Sequence, residues 1–143
     1  SLFAEIEDEV LSTIKTHHFL FKASGKIMIH ADREKIAQVL HNLVGNAVKY
    51  SPLRSTIRVN YSANGNSLKV NVQDSGKGIA EEDQQRIFER YYRVKETSGG
   101  VISGFGIGLY LCREIIELHD GTIQVQSVKD EGSIFSFTLP FNL

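Results

Sequence analysis

From Arg33 to Tyr50 the sequence carries one long amphipathic pattern, and no other segment restricts the fold as much. Ile36, Val39, Leu40, Leu43 and Ala47 recur at helical spacing, so the segment reads as a helix with one apolar face to bury. Asp32 caps its start, and Ser51-Pro52 ends it, because the residue before a proline disfavours helical backbone. On an adjacent face Asn42, Asn46 and Lys49 stand four and three residues apart, within roughly 60° of one another. Asparagine is a mediocre helix former, so two of them aligned with a lysine need a reason. A solvated edge is one. A ligand groove is the other, since an amide oxygen suits Mg²⁺ and a lysine meets phosphate charge. Gly45, inside the same helix, costs about 1 kcal/mol relative to alanine.

The flanking segments supply a sheet for that helix. Residues 2–15 show a second helical pattern, and 18–23 and 26–30 read as short strands around Ser24-Gly25. Residues 56–61 and 68–72 alternate as strands joined through Asn64-Gly65-Asn66, a hairpin signal. A short helix at 81–90, a helix at 106–119 closed by Asp120-Gly121, and a hairpin of 122–127 with 133–139 complete the order. The expectation is an α+β two-layer sandwich, a mixed sheet with helices on one face, forming one domain over 1–143.

Composition narrows the function classes. A hydrophobic fraction of 41% suffices for a buried core, and a formal net charge of -1 argues against a nucleic-acid surface. The single cysteine, Cys112, precludes an internal disulfide and suits a buried thiol in a reducing compartment. No apolar run approaches the ~20 residues that cross a bilayer, and no signal peptide is visible. The start at Ser1, without Met, suggests a piece of a longer chain, cytoplasmic itself, whose parent is either soluble or membrane-anchored through another segment.

Two glycine loops carry chemistry. Asp74-Ser75-Gly76-Lys77-Gly78-Ile79 follows directly on a strand. It could be an ordinary turn. It could also read a purine: a carboxylate accepts a hydrogen bond from an exocyclic amine, Gly76 and Gly78 let backbone approach the ring, and Ile79 covers its face. Gly104-Phe105-Gly106-Ile107-Gly108-Leu109 opens a helix, either as a plain linker or as an anion site of exposed N–H groups aided by the helix dipole. Its spacing is neither the dinucleotide fingerprint nor a P-loop. Between the loops, Ile87-Phe88-Glu89-Arg90-Tyr91-Tyr92-Arg93 could place Phe88 in the core and Arg90 or Arg93 on a triphosphate. Residues 95–103 have the length and glycines of a mobile lid. His17, His18, His30, His41 and His119 lack zinc-ligand spacing and read as structural or solvent-facing.

Taken in order, these segments resemble the histidine-kinase branch of the gyrase, chaperone and mismatch-repair ATPase superfamily, over about residues 32–140. The N box resembles 42–51, the first G box 74–79, the F box 87–93 and the second G box 104–109. Gly121-Thr122-Ile123 and Gly132-Ser133-Ile134-Phe135 resemble the family's last hairpin. The resemblance implies a Bergerat, left-handed αβ sandwich that binds ATP with Mg²⁺. It implies Asn46 on the metal, with Asn42 and Lys49 on the phosphate side and Tyr50 near the nucleotide. Asp74 would hold the adenine amine beside Gly76, Gly78 and Ile79, and Tyr92 and Arg93 would approach sugar or phosphate. Gly104, Gly106, Ile107, Gly108 and Leu109 would meet phosphates through backbone. Catalytic roles would fall on Asn42, Lys49 and Arg93.

Hydrolytic members carry glutamate at the place of Asn42, and an amide cannot take a proton near neutral pH. The implied activity is therefore histidine phosphorylation. The acceptor would lie on dimerisation helices outside this chain, in a homodimeric parent that passes phosphate to a receiver domain; the isolated domain would be monomeric. Alternatives are a gyrase- or chaperone-type ATPase, an anti-sigma serine kinase, or a degenerate docking module. Phe105, where the family often has a small or hydroxyl residue, and the apolar Val101-Ile102 depart from the usual pattern.

Overall fold

The structure, a computed structural model, describes residues 1–25, 27–92 and 108–141. The order is α1 (Leu2–Thr13), β1 (His18–Ala23), α2 (Arg33–Tyr50), β2 (Thr56–Asn64), β3 (Ser67–Asp74), α3 (Glu81–Gln84), α4 (Gly108–Leu118), β4 (Thr122–Val128) and β5 (Gly132–Pro140). The strands form one mixed sheet in the order β1-β2-β3-β5-β4. Only β1 and β2 run parallel, and α2 is the crossover between them.

Helix α2 begins and ends where its local signals place it. The Asp32 carboxylate accepts from the N–H groups of Glu34 (3.1 Å) and Lys35 (3.2 Å), satisfying two orphan donors. Its apolar stripe, Ile36, Val39, Leu40, Leu43, Val44 and Ala47, is buried against the inward residues of the sheet, among them Ile57, Val59, Val70, Val72, Phe135 and Phe137. Alternate strand residues face the other way and are polar: Arg58, Asn60, Asn71, Gln73 and Gln124. Asn60 and Asn71, opposite one another in the ladder, share a 3.0 Å side-chain hydrogen bond. Among the described residues that alternation leaves the second face of the sheet without a helix layer, as an antiparallel sheet tolerates.

Two expectations are corrected. Residues 27–30 are not a strand. Ile27 and Ile29 turn onto the open end of the core beside Phe3, Leu40 and Phe137, so their alternation records burial without a ladder. The expected helix at 81–90 stops at Gln84. Beyond it the chain tightens into i→i+3 bonds, Glu89 N–H to Arg86 (2.9 Å) and Tyr92 N–H to Glu89 (3.3 Å), and Tyr91 takes φ 64°. Phe88 still reaches the core, edge-on to Phe135 at 6.2 Å. Helix α4 closes at Asp120-Gly121, with Asp120 in the left-handed region at φ 60°. Gly121 is required for space: a Cβ there would lie 1.9 Å from the Thr138 carbonyl oxygen.

Candidate functional site

Asp74 ends β3 with its carboxylate turned inward, 8% exposed. Its Oδ1 accepts from the Gly76 N–H at 2.8 Å, which starts the first glycine loop. Burial pushes this carboxyl above its ordinary range, and backbone N–H bonds from Gly76 and Ser133 oppose the rise. A buried carboxylate held by backbone alone gains from one more N–H supplied by a ligand.

The two glycines of the loop are demanded by the fold itself. A Cβ on Gly76 would sit 2.2 Å from the Tyr50 carbonyl oxygen, and one on Gly78 would sit 2.1 Å from that of Val128. Gly78 also takes φ 69°. The loop therefore packs on the last turn of α2 and on the β4–β5 turn. Ile79 donates its N–H to Ser127 Oγ (2.7 Å), and Gln84 Nε2 donates to the carbonyls of Ile79 (2.8 Å) and Ser127 (2.9 Å). Asp130 N–H reaches the Lys77 carbonyl at 2.5 Å. Ser127 had no signal of its own, since its bonds to Gln84 and Ile79 cross 43 and 48 residues.

The start of α4 closes on the same helix from the other side. A Cβ on Gly108 would stand 3.2 Å from Asn42 Oδ1. Asn42 Nδ2 donates to the Gln38 carbonyl (3.1 Å), which leaves its oxygen toward the α4 N-terminus. Asn46 is half-buried one turn further along α2. Lys49 is exposed, its Nζ 5.4 Å from the centre of the half-buried Tyr50 ring. The first glycine loop thus meets α2 at Tyr50 and Gly108 meets it near Asn42, eight residues or roughly 12 Å apart along its axis. Leu109 packs against the core.

Tyr92 packs beside α3. Its hydroxyl donates to Asp83 in a short bond, and the Arg86 guanidinium lies 4.5 Å from its ring centre. The bond to Asp83 holds the Tyr92 phenol above its ordinary range. Its hydroxyl is thereby tied to α3. Arg90 stacks over Tyr91 at 4.9 Å and Tyr110 at 5.8 Å. Arg93, the lid at 95–103 with Val101 and Ile102, and Gly104, Phe105, Gly106 and Ile107 lie outside the described residues.

The histidines are structural or surface groups. His17 is buried, its ring nitrogens paired with Thr16 Oγ1 (2.9 Å) and the Ser51 carbonyl (3.3 Å). His119 Nδ1 donates to the Ile115 carbonyl (2.8 Å) while Nε2 accepts the Asp32 N–H (3.1 Å), tying the end of α4 to the cap of α2. His41 lies 3.4 Å from Glu9, and His18 and His30 are exposed. Cys112 is fully buried, and burial pushes its thiol up to about 12, so it packs as an apolar group. No group of three or more His, Cys, Asp or Glu that could hold a metal exists among the described residues. No helix there is long and apolar enough to cross a membrane.

The family described as histidine kinase-, DNA gyrase B- and HSP90-like ATPase matches residues 31–143. The chain belongs to that family. Its relatives put it in the histidine-kinase branch. Adaptive-response sensory kinase SasA of Gloeothece citriformis is 46% identical over 113 residues, 78% of this chain and 28% of that kinase. The chain therefore spans under a third of the length of that relative. The solved catalytic domain of histidine kinase ThkA superposes with a TM-score of 0.82 at 30% identity, over 97% of this chain and 91% of that one. Full-length ShkA, solved in complex with AMPPNP, superposes with a TM-score of 0.81 at 25% identity, over 98% of this chain and 29% of that one. This histidine-kinase catalytic domain is thus an ATP-binding α+β fold, as the order of its sequence boxes implies.

One glycine of the histidine-kinase domain is dispensable. A Cβ on Gly45 would meet nothing within 4 Å, and the residue is exposed in mid-helix. Gly45→Ala should stabilise the domain by about 0.5–1 kcal/mol. The check is a denaturant melt beside an ATP titration, where the midpoint rises and the affinity stays put.

Proposed function

We propose that this domain binds Mg-ATP along α2 and donates the γ-phosphoryl group to a histidine on the dimerisation helices of a longer, homodimeric sensor kinase. A receiver domain then takes the phosphoryl group from that histidine. The observation that carries the proposal is the convergence of the Asp74 loop and the α4 N-terminus on an α2 face that presents amides and no carboxylate. The ShkA complex shows that a relative holds an ATP analogue, which supports the same use here.

The adenine amine donates to Asp74, with Ile79 against the ring. The triphosphate runs along α2 past Asn46 and Lys49 toward the N–H groups at the start of α4. Asn46 would hold Mg²⁺, which would supply charge stabilisation to the phosphates. Asn42 cannot deprotonate water, so bound ATP survives until an imidazole nitrogen attacks the γ-phosphorus and the bond to the β-γ bridging oxygen breaks, releasing ADP. Arg93 and Lys49 complete the phosphate contacts.

The test uses γ-labelled ATP with the 143-residue chain alone and with the parent's acceptor helices added. Tight Mg²⁺-dependent binding, slow hydrolysis and acid-labile label only on the helices are expected. Rapid turnover by the isolated domain would favour the ATPase reading. A parent that binds ATP yet never labels a histidine would overturn the proposal.

A further inference from the structure

Strand β1 ends the sheet, with β2 as its one strand neighbour among the described residues. His18 N–H bonds the Ser55 carbonyl (3.0 Å) and Ser24 N–H bonds that of Tyr61 (3.2 Å), so even-numbered residues turn their backbone toward β2. Phe19, Phe21 and Ala23 consequently aim N–H and C=O outward, with no strand beyond them among the described residues. A row of unpaired backbone groups is a template for another strand.

Beside that edge, between it and the end of α1, lies a groove of about 620 Å³. Leu11, Phe19 and Leu20 line it, and Leu11 and Leu20 are 45% and 50% exposed. The remaining lining is basic or neutral: Lys15, His18 and Arg54 border it, and no carboxylate does. Lys15 Nζ bonds the Leu11 carbonyl at 2.7 Å, and the Arg54 side chain has no ion pair among the described residues. Lys22 follows on the same edge strand. This stands out in a chain whose formal net charge is -1.

We propose that the β1 edge and its groove form a docking site for an extended segment of a partner protein with alternating acidic and apolar side chains. Main-chain pairing to Phe19 and Phe21 supplies affinity, apolar residues fill the gap over Leu11 and Leu20, and carboxylates meet Lys15 and Arg54. The same charges disfavour a second copy of this chain, which would set basic groups against basic groups. The site does not depend on the nucleotide reading.

The experiment is amide hydrogen exchange on the 143-residue chain with two capped probe peptides, (Glu-Val)4 and (Lys-Val)4. The acidic probe should slow exchange at Phe19 and Phe21 by about tenfold or more, and the basic probe should not. The pair Lys15→Glu and Arg54→Glu, both exposed, should invert that preference. Ala23→Pro, which deletes one outward N–H, should weaken the acidic probe; if that variant does not fold, the charge-reversed pair still decides. Unchanged exchange at Phe19 and Phe21, or equal protection by both probes, would overturn the proposal. So would protection that grows with protein concentration alone, which would assign the edge to a second copy.

Discussion

Replacing Asp74 with asparagine should lower ATP affinity by about 100-fold while leaving the domain folded and changing how its stability depends on pH. The loss follows from hydrogen-bond bookkeeping at one atom pair. In the parent the carboxylate accepts from the N–H groups of Gly76 and Ser133 and still has acceptor capacity for the adenine amine. In the variant the amide oxygen stays on Gly76, and its NH₂ then faces the adenine NH₂, donor against donor. The stability half has a definite sign. Burial raises the folded-state pKa of Asp74 above its unfolded value. Between those two values the native state binds more protons than the unfolded chain, so this group's contribution falls as pH rises through the window. Asparagine carries no such burden. The difference in melting temperature, variant minus parent, should therefore grow from pH 4 to pH 7 in nucleotide-free protein. A difference that shrinks over this range would show that the N–H bonds from Gly76 and Ser133 outweigh burial, reversing the electrostatic argument. Unchanged affinity would remove Asp74 from the purine site altogether.

Legibility in the sequence tracked how local each cause was. Helix α2 was readable to its ends because Asp32, the apolar period and Ser51-Pro52 all lie within or beside it. The hairpins were readable as pairs, though each strand runs a residue or more beyond the alternation. Residues 27–30 show the opposite case. Their Ile-x-Ile pattern is that of a strand, but a ladder needs a free neighbour, and Ile27 and Ile29 bury themselves at the core's open end instead. The Asp74 loop was visible as a motif, while its bracing by Ser127 and Gln84 was not, because those contacts are set by where β4 falls against β3 and β5. Tyr92 read as a nucleotide contact from its place in the box; the nearby Asp83, nine residues upstream, claims its hydroxyl.

The glycines of that loop separate motif from mechanics, and Gly78→Ala is the sharpest probe of the difference. Alanine at φ 69° costs about 1–2 kcal/mol by itself. Gly65, φ 64° at the β2–β3 turn, isolates that cost, because a Cβ there meets nothing within 4 Å. Gly65→Ala should therefore lower stability by about 1 kcal/mol and leave ATP binding alone. At Gly78 the same Cβ also falls 2.1 Å from the Val128 carbonyl oxygen, a backbone atom that no rotamer change can move. The loop and the β4–β5 turn must separate, which strains the Lys77–Asp130 and Ile79–Ser127 bonds. A total loss of about 3 kcal/mol or more is expected, with ATP affinity falling even in the fraction that stays folded. Parallel urea melts of the two variants measure the gap. If Gly78→Ala cost no more than Gly65→Ala, the loop would not rest on Val128, and its glycines would serve the ligand rather than the fold.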